Sequence, residues 1–123
     1  MIRVPAQPEI WQGSKPEWAI FYTLSKMGIN FNYQESFLGG RQQMGGLIVD
    51  FMIPDYNLAI NVQSTYYHYI GVEMRAHDAM VRASVESRGI RLIYIDEEDA
   101  LRNPEYYIQQ AIAGIDHSKM KTA

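Results

Sequence analysis

The sequence predicts a mixed α/β domain with the element order helix, three antiparallel strands, helix, strand, helix. Two apolar runs, 47–53 and 58–62, flank the turn signal Pro54-Asp55-Tyr56-Asn57 and are typical of a β-hairpin. A helical stretch then leads to a short, nearly all-apolar run at 90–95, which is typical of an interior strand. A strand, a helix and a further strand in one sheet imply a right-handed crossover, so the last strand should run parallel to 58–63.

Composition and charge limit the classes of protein to which this chain can belong. A chain of 123 residues with 47% hydrophobic and 20% charged residues is typical of one globular domain. The net charge of −3 means that any nucleic-acid contact must come from a local basic patch. The absence of cysteine excludes disulfides and thiolate zinc sites. No apolar run approaches the ~20 residues of a membrane span, so we expect no contact with a membrane. The absence of cysteine suits a reducing cytoplasm, where we expect the protein to be located.

The N-terminal part of the chain predicts an extended arm over residues 1–15, followed by a helix. The apolar side chains of the arm indicate that it packs on its own domain, or on a partner chain in a homo-oligomer or assembly. Ser14, Pro16 and Glu17 form a helix-start signature, and Gly28 ends the helix. Glu17 is therefore open to two interpretations, a capping residue or a site residue.

The middle of the chain predicts a strand, a loop and a second main helix. Residues 30–37 alternate between apolar and polar types, as in a half-buried strand. The glycine pairs around Arg41, in segment 39–46, indicate a hairpin loop or, less simply, a phosphate cradle. Residues 70–88 carry apolar side chains at helical spacing, and Gly89 ends that helix.

The C-terminal part predicts two further helices and a tail. The acidic segment 96–99 caps a short helix, and Asn103 and Pro104 start a last helix that runs to about residue 115. We expect residues 16–116 to form a single domain and residues 117–123 to be a flexible tail.

Asp50 stands alone among apolar residues in the first strand of the hairpin. A turn centred between Asp55 and Tyr56 places Asp50 opposite Asn61, with Gln63 on the same face two positions on. We therefore expect these three polar side chains to form one cluster. A buried carboxylate needs a cation or hydrogen-bond donors, so Asp50 is either a metal ligand or a structural group bonded to backbone or to arginine.

With this element order, the chain from Ser14 to about residue 115 resembles the PD-(D/E)XK nuclease superfamily, and within it the very-short-patch-repair-like branch. The resemblance is carried by Glu17, by VDFMIPDYNLAINVQ with Asp50, and by STYYH with His68. It implies a restriction-endonuclease-like core, in which helices flank a mixed central sheet. It also implies a small Mg²⁺-dependent endonuclease that hydrolyses DNA phosphodiester bonds.

The same resemblance implies a set of catalytic residues. Asp50 would be the metal ligand of the second strand, and Gln63 would be a second ligand through its side chain or its backbone carbonyl. Glu17 would orient a water or a second metal. His68 would act as general acid or base, or support the scissile phosphate.

Basic and aromatic side chains near these positions are candidates for contact with nucleic acid, by phosphate pairing or by base stacking. The candidates are Arg41, Tyr66, Tyr67, Arg75 and Arg82. The expected partner is DNA, and RNA stays open. Ordinary core or surface roles are the alternative for each of them.

Asn61 and Ser64 depart from the pattern of the superfamily. The third-strand signature usually holds a glutamate where this chain has Asn61, a lysine near it and a glycine where it has Ser64. A neutral amide binds Mg²⁺ more weakly than a carboxylate does. The alternative function is therefore a catalytically silent nuclease-fold protein with a structural or DNA-binding role, for example as a component of a phage particle.

Overall fold

A computed structural model describes residues 2–36, 48–64 and 72–119, without the side chains of residues 35, 36, 72–75 and 77. Within these residues, four α-helices flank a four-stranded mixed sheet, as the sequence predicts. The helices are α1 (Lys15–Lys26), α2 (Val72–Glu86), α3 (Glu97–Arg102) and α4 (Pro104–Ile112). The strands are β1 (Asn32–Ser36), β2 (Ile48–Ile53), β3 (Leu58–Gln63) and β4 (Arg91–Asp96).

The sheet has the strand order β1-β2-β3-β4, with the first two pairings antiparallel and the β3–β4 pairing parallel. The predicted hairpin register is confirmed, because Phe51 pairs with Ile60 and Ile53 pairs with Leu58. Asn57 closes the turn in the left-handed region, at φ 47°. The parallel pairing of β3 with β4 confirms the crossover that the strand–helix–strand order predicts.

The sheet is buried on both faces. One face packs against α1 and α4 and forms the larger core, which includes Leu24, Phe51 and Ile108. The other face packs against α2, where Val85 and Tyr94 are buried. Because side chains alternate along a strand, β3 supplies residues to both cores in turn.

Helix α1 begins as the sequence predicts, with a capping box. The Ser14 hydroxyl accepts from the Glu17 N–H at 3.2 Å, and the Ser14 N–H donates to Glu17 Oε1 at 2.8 Å. Two backbone donors at the start of the helix are satisfied in this way. Gly28 follows the helix at φ +71°, a conformation that glycine adopts without steric cost.

The N-terminal arm packs on its own domain through an aromatic cluster. The Trp18 indole N–H donates to the Pro5 carbonyl at 3.0 Å. The ring of Trp11 lies 5.2 Å from that of Trp18, 5.1 Å from that of Phe21 and 5.2 Å from that of Tyr33. The sequence left open whether the arm packs on its own domain or on a partner chain, and in the structure it packs on its own domain.

Residues 116 and 119, which lie on either side of the start of the predicted tail, both bond to β4. Asp116 Oδ2 accepts from the Tyr94 N–H at 3.2 Å, and Asp96 Oδ2 accepts from the Lys119 N–H at 3.0 Å. Since β4 is an edge strand of the sheet, the Asp116 carboxylate supplies an acceptor that a neighbouring strand would otherwise provide. In the described ranges no helix has the length and apolar character that crossing a membrane requires.

Candidate functional site

Asp50 lies where the backbone ladder between β2 and β3 gives way to side-chain hydrogen bonds. The last backbone pairing is that of Phe51 with Ile60. Beyond it, the Asp50 N–H donates to Asn61 Oδ1 at 2.8 Å, and Asp50 Oδ2 accepts from the Val62 N–H at 2.8 Å. Two side chains thus hold the strands together in place of main-chain carbonyls. The sequence analysis considered a structural Asp50 bonded either to backbone or to arginine, and the structure shows the bond to backbone.

Asp50 also lines a cavity of about 350 Å³ at the point where α1, β2, β3 and α3 meet. The residues lining it are Ser14, Pro16, Glu17, Asp50, Val62, Ser64 and Glu97. Glu17 caps the helix through its Oε1, which confirms the first interpretation, and its side chain also lines the cavity. A role of Glu17 as a site residue stays a prediction. Helix α1 brings Glu17 to the site because the capping box holds it at the first turn.

The electrostatics of the cavity are governed by two neighbouring carboxylates. Burial raises the pKa of Asp50 from 3.8 to about 7; the Val62 N–H opposes this, and the charge and hydrogen bonding of Glu17 add to it. Two carboxylates in one partly desolvated cavity cannot both be charged without a compensating proton or cation. The site is therefore suited to hold a proton or a positively charged ligand.

The donor set of this cavity fits a magnesium ion. Across the described ranges, no three His, Cys, Asp or Glu side chains come together as a metal-binding group. Mg²⁺, however, keeps several waters and is commonly held by one or two carboxylates. Asp50 and Glu17 supply two such carboxylates, and oxygen is the donor that hard cations prefer.

Gln63 does not join Asp50 at the cavity. It is buried, lies in register with Asp96 of β4, and its side-chain nitrogen is 3.5 Å from the Ser64 carbonyl. Because side chains alternate along β3 and Val62 lines the cavity, the Gln63 side chain points to the other face of the sheet. The predicted cluster is thus reduced to the contact between Asp50 and Asn61, and the role of Gln63 as a metal ligand stays a prediction.

Arg82 is engaged in the packing of α2 on β4. Its Nη1 donates to the Leu92 carbonyl at 3.0 Å, and its guanidinium lies 5.5 Å from the centre of the Tyr94 ring. A contact between Arg82 and nucleic acid stays a prediction, and so does one by Arg75, whose side chain is not described. The other candidates lie outside the described residues: Arg41, Tyr66, Tyr67 and His68.

Two residues near the carboxylate pair were not predicted as site residues. Glu97 follows β4 and lines the cavity, and the sequence marked it only as part of an acidic helix start. The parallel pairing of β3 with β4 could have indicated Glu97, because the carboxyl ends of parallel strands meet at one edge of a sheet. Burial raises the pKa of Tyr33, and the nearby charges of Glu17 and Asp50 raise it further; nothing in its alternating strand distinguished it.

The fold is similar to that of a solved structure, the homing endonuclease I-Bth0305I catalytic domain. The similarity has a TM-score of 0.57 at 18% sequence identity and covers 83% of this chain and 97% of that chain. No protein-family model matches the sequence, and no curated protein does. The likeness shows a shared α/β fold and so confirms the predicted fold class. Assignment to the PD-(D/E)XK superfamily, and to its very-short-patch-repair-like branch, stays a prediction.

Proposed function

We propose that this protein is a small Mg²⁺-dependent endonuclease that hydrolyses DNA phosphodiester bonds at the cavity between α1 and the central hairpin. The observation that carries the proposal is the pair formed by Asp50 and Glu17, two carboxylates that face each other in a partly desolvated cavity. Such an arrangement is unfavourable in the free protein and becomes favourable when a cation is bound. The likeness to the catalytic domain of a homing endonuclease supports a nuclease.

The side chains of the site are held in place before any ligand binds. Asp50 is fixed by the Val62 N–H, and its own N–H is fixed by the Asn61 side chain. Glu17 is fixed through Ser14. Asp50 and Glu17 are the residues that would hold Mg²⁺, and the chemistry that the ion would supply there is polarisation of the phosphate and activation of a water. His68, as the resemblance implies, is the proposed general acid or base.

Cleavage of supercoiled plasmid DNA tests the proposal. Nicking is expected with Mg²⁺ and should disappear with EDTA. It should also disappear in Asp50→Ala and in Glu17→Gln, because each variant removes one of the two carboxylates. Asp55→Ala is the matched control, since Asp55 is an exposed carboxylate in the turn of the same hairpin and should cut as wild type does.

The outcome that contradicts the proposal is an Asp50→Ala protein that cuts as well as wild type. The same assay on single-stranded and duplex RNA separates a DNA nuclease from an RNA nuclease. Loss of cutting in the Asp55→Ala control would indicate that the assay responds to disruption of the hairpin and not to loss of the Asp50 carboxylate.

A second function is a catalytically silent nuclease fold that serves as a structural or DNA-binding part. The observation that favours it is the use of Asn61, which stands where the superfamily usually has a glutamate and is engaged with the Asp50 N–H. Under this alternative Asp50 is only an acceptor for the Val62 N–H. Titration calorimetry at millimolar Mg²⁺ distinguishes the two, because a silent protein gives no saturable heat that depends on Asp50.

A further inference from the structure

Strand β2 does not keep a regular pleat at Asp50. Val49 and Met52 are buried in the core beside α2, whereas Phe51 is buried in the core beside α1. Asp50 lines the cavity together with Glu17 of α1, so Asp50 and its chain neighbour Phe51 face the same side of the sheet. Successive side chains of a regular strand point to opposite faces. The backbone of β2 is therefore irregular at Asp50, and this irregularity decides which face the carboxylate takes.

Strand β1 is irregular at the residue that lies opposite Asp50. In the β1–β2 ladder, the residues on either side of Gln34 pair with those on either side of Asp50. The pair that these two would form is absent from the ladder of the described residues. Gln34 has φ +58°, in the left-handed region that favours glycine. The two irregularities thus lie side by side on adjacent strands.

The conformation of Gln34 is not explained by a turn. In the part of the chain that the structure describes, the other residue besides glycine with a positive φ is Asn57, which closes the hairpin turn. Gln34 instead lies inside β1. A left-handed conformation is unfavourable for a residue with a Cβ and persists only where the surrounding structure holds it. Strain of this kind clusters at functional sites, and here it lies opposite Asp50.

We propose that Gln34 is a positioning residue of the candidate site: its left-handed backbone interrupts the ladder opposite Asp50 and so lets β2 turn the Asp50 carboxylate to the side of Glu17. This inference rests on the proposed function, which uses that carboxylate to bind Mg²⁺. In a regular ladder, alternation with Phe51 would send the Asp50 side chain to the α2 face, away from the cavity. The distortion thus has the effect of a β-bulge, which re-aims a side chain next to an active site.

The position of the carboxylate can be followed through one amide. Asp50 Oδ2 accepts from the Val62 N–H at 2.8 Å, and a carboxylate turned to the α2 face would lose this bond. Hydrogen exchange of the Val62 amide in EDTA therefore reports where the carboxylate lies, without any metal. The reference amide is that of Tyr94, which donates to Asp116 at 3.2 Å on the other edge of the sheet.

The test replaces Gln34 by threonine, a polar residue whose branched Cβ strongly disfavours a positive φ. The Val62 amide should exchange at least about fivefold faster than in wild type, because it loses its hydrogen bond. Titration calorimetry should show Mg²⁺ binding weakened at least about tenfold, because Asp50 no longer shares the cavity with Glu17. The Tyr94 amide should keep its protection.

Gln34→Gly is the matched rescue. Glycine adopts a positive φ without steric cost, so this variant removes the side chain and keeps the backbone conformation. The protection of the Val62 amide and the affinity for Mg²⁺ should equal those of wild type. If Gln34→Gly loses either, the side chain and not the backbone of Gln34 serves the site, and the inference is wrong. The glycine variant decides the question in the same way where Gln34→Thr does not fold.

Asn32 provides the control for the strand itself. It is an exposed residue of β1 that pairs with Met52 in the regular part of the ladder. Here Asn32→Thr should be more stable than Asn32→Gly, the reverse of the order at Gln34. Urea unfolding in EDTA measures all four variants. If threonine is the more stable replacement at both positions, Gln34 behaves as an ordinary strand residue and the inference is overturned.

Failure of the inference differs from failure of the proposed function. If wild type binds Mg²⁺ and cuts DNA while Gln34→Thr keeps the Mg²⁺ affinity and the Val62 protection of wild type, the positioning role is wrong and the nuclease stands. If wild type neither binds Mg²⁺ nor cuts DNA, the proposed function is wrong. Loss of Val62 protection in Gln34→Thr, with its retention in Gln34→Gly, would then still show that the backbone of Gln34 positions Asp50.

Discussion

Replacement of Asp50 by asparagine should make the protein more stable at mildly alkaline pH while it abolishes Mg²⁺ binding. The amide oxygen of asparagine can still accept the Val62 N–H, so the side-chain link between the strands is kept. The amide nitrogen can donate to the Glu17 carboxylate, which removes the repulsion between two like charges. A gain in stability together with a loss of function is the signature expected of a site that is strained for its task.

The magnitude follows from the pKa of Asp50, which rises from 3.8 to about 7 on folding. Each pKa unit corresponds to about 1.4 kcal/mol, so the upper limit is about 4 kcal/mol. Relaxation, and sharing of the proton with Glu17, bring the expected gain to about 2 kcal/mol.

The sign follows from proton binding, because the folded state keeps the proton of Asp50 at pH values where the unfolded state has lost it. The stability linked to this proton is fully present below pH 3.8 and is lost as the pH rises to about 7.

Urea unfolding in EDTA, from mildly acidic to mildly alkaline pH, measures this effect. Wild type should lose free energy of unfolding as the pH rises through this range, and Asp50→Asn should lose much less. Asp55→Asn, in the exposed turn of the hairpin, is the control and should follow wild type. If Asp50→Asn is less stable than wild type at mildly alkaline pH, Asp50 is chiefly a structural acceptor and the reasoning behind the carboxylate site is refuted.

Three further predictions concern contacts that support the site and the fold, each measured by urea unfolding. Asn61→Ala should lower the free energy of unfolding by about 1–2 kcal/mol, because the Asp50 N–H loses its acceptor. Ser14→Ala should lower it by about 1 kcal/mol through loss of the helix cap. Gly114→Ala should lower it by about 1–2 kcal/mol, because φ is +86° and the new Cβ would meet the Arg91 guanidinium. An unchanged free energy in any one variant would contradict the contact assigned to that side chain.

The parts of the fold that follow from local chemistry could be predicted from the sequence. The start of α1 was evident from Ser14, Pro16 and Glu17, whose side chains satisfy backbone donors within one turn. The hairpin register was evident from a short turn between two apolar runs, since the turn sets which residues face each other. The parallel pairing of β4 followed from the handedness of the crossover.

The position of the Asp50 carboxylate could not be predicted, because a regular pleat assigns every second side chain to one face. That rule placed Asp50, Asn61 and Gln63 together. In the structure the Asp50 carboxylate bonds to the Val62 N–H and faces the cavity beside α1. The choice between a main-chain and a side-chain partner at the end of a ladder depends on tertiary contacts, which hydrophobic periodicity does not contain.

Contacts between segments that are distant in the chain could not be predicted from the sequence either. Tyr33 packs against Trp11 and Gly13 of the arm, and the alternation in β1 carries no information about that arm. Residues 117–123 were expected to be flexible because they are polar and terminal. The segment 116–119 bonds to β4 in two ways: Asp116 accepts from the Tyr94 N–H of this edge strand, and the Lys119 N–H donates to the Asp96 carboxylate at its end.

Glu17 connects the stability of the fold with the chemistry of the site. The carboxylate that satisfies the Ser14 N–H also faces Asp50, so the helix cap and the proposed metal ligand are one group. A cap residue is held on the first turn of a helix, which gives it a more exact position than a loop residue would have. Capping and the proposed role as a metal ligand are therefore compatible for Glu17, because the cap is what fixes the position of the carboxylate. A small chain can build a site in this way with few residues beyond those that its fold already needs.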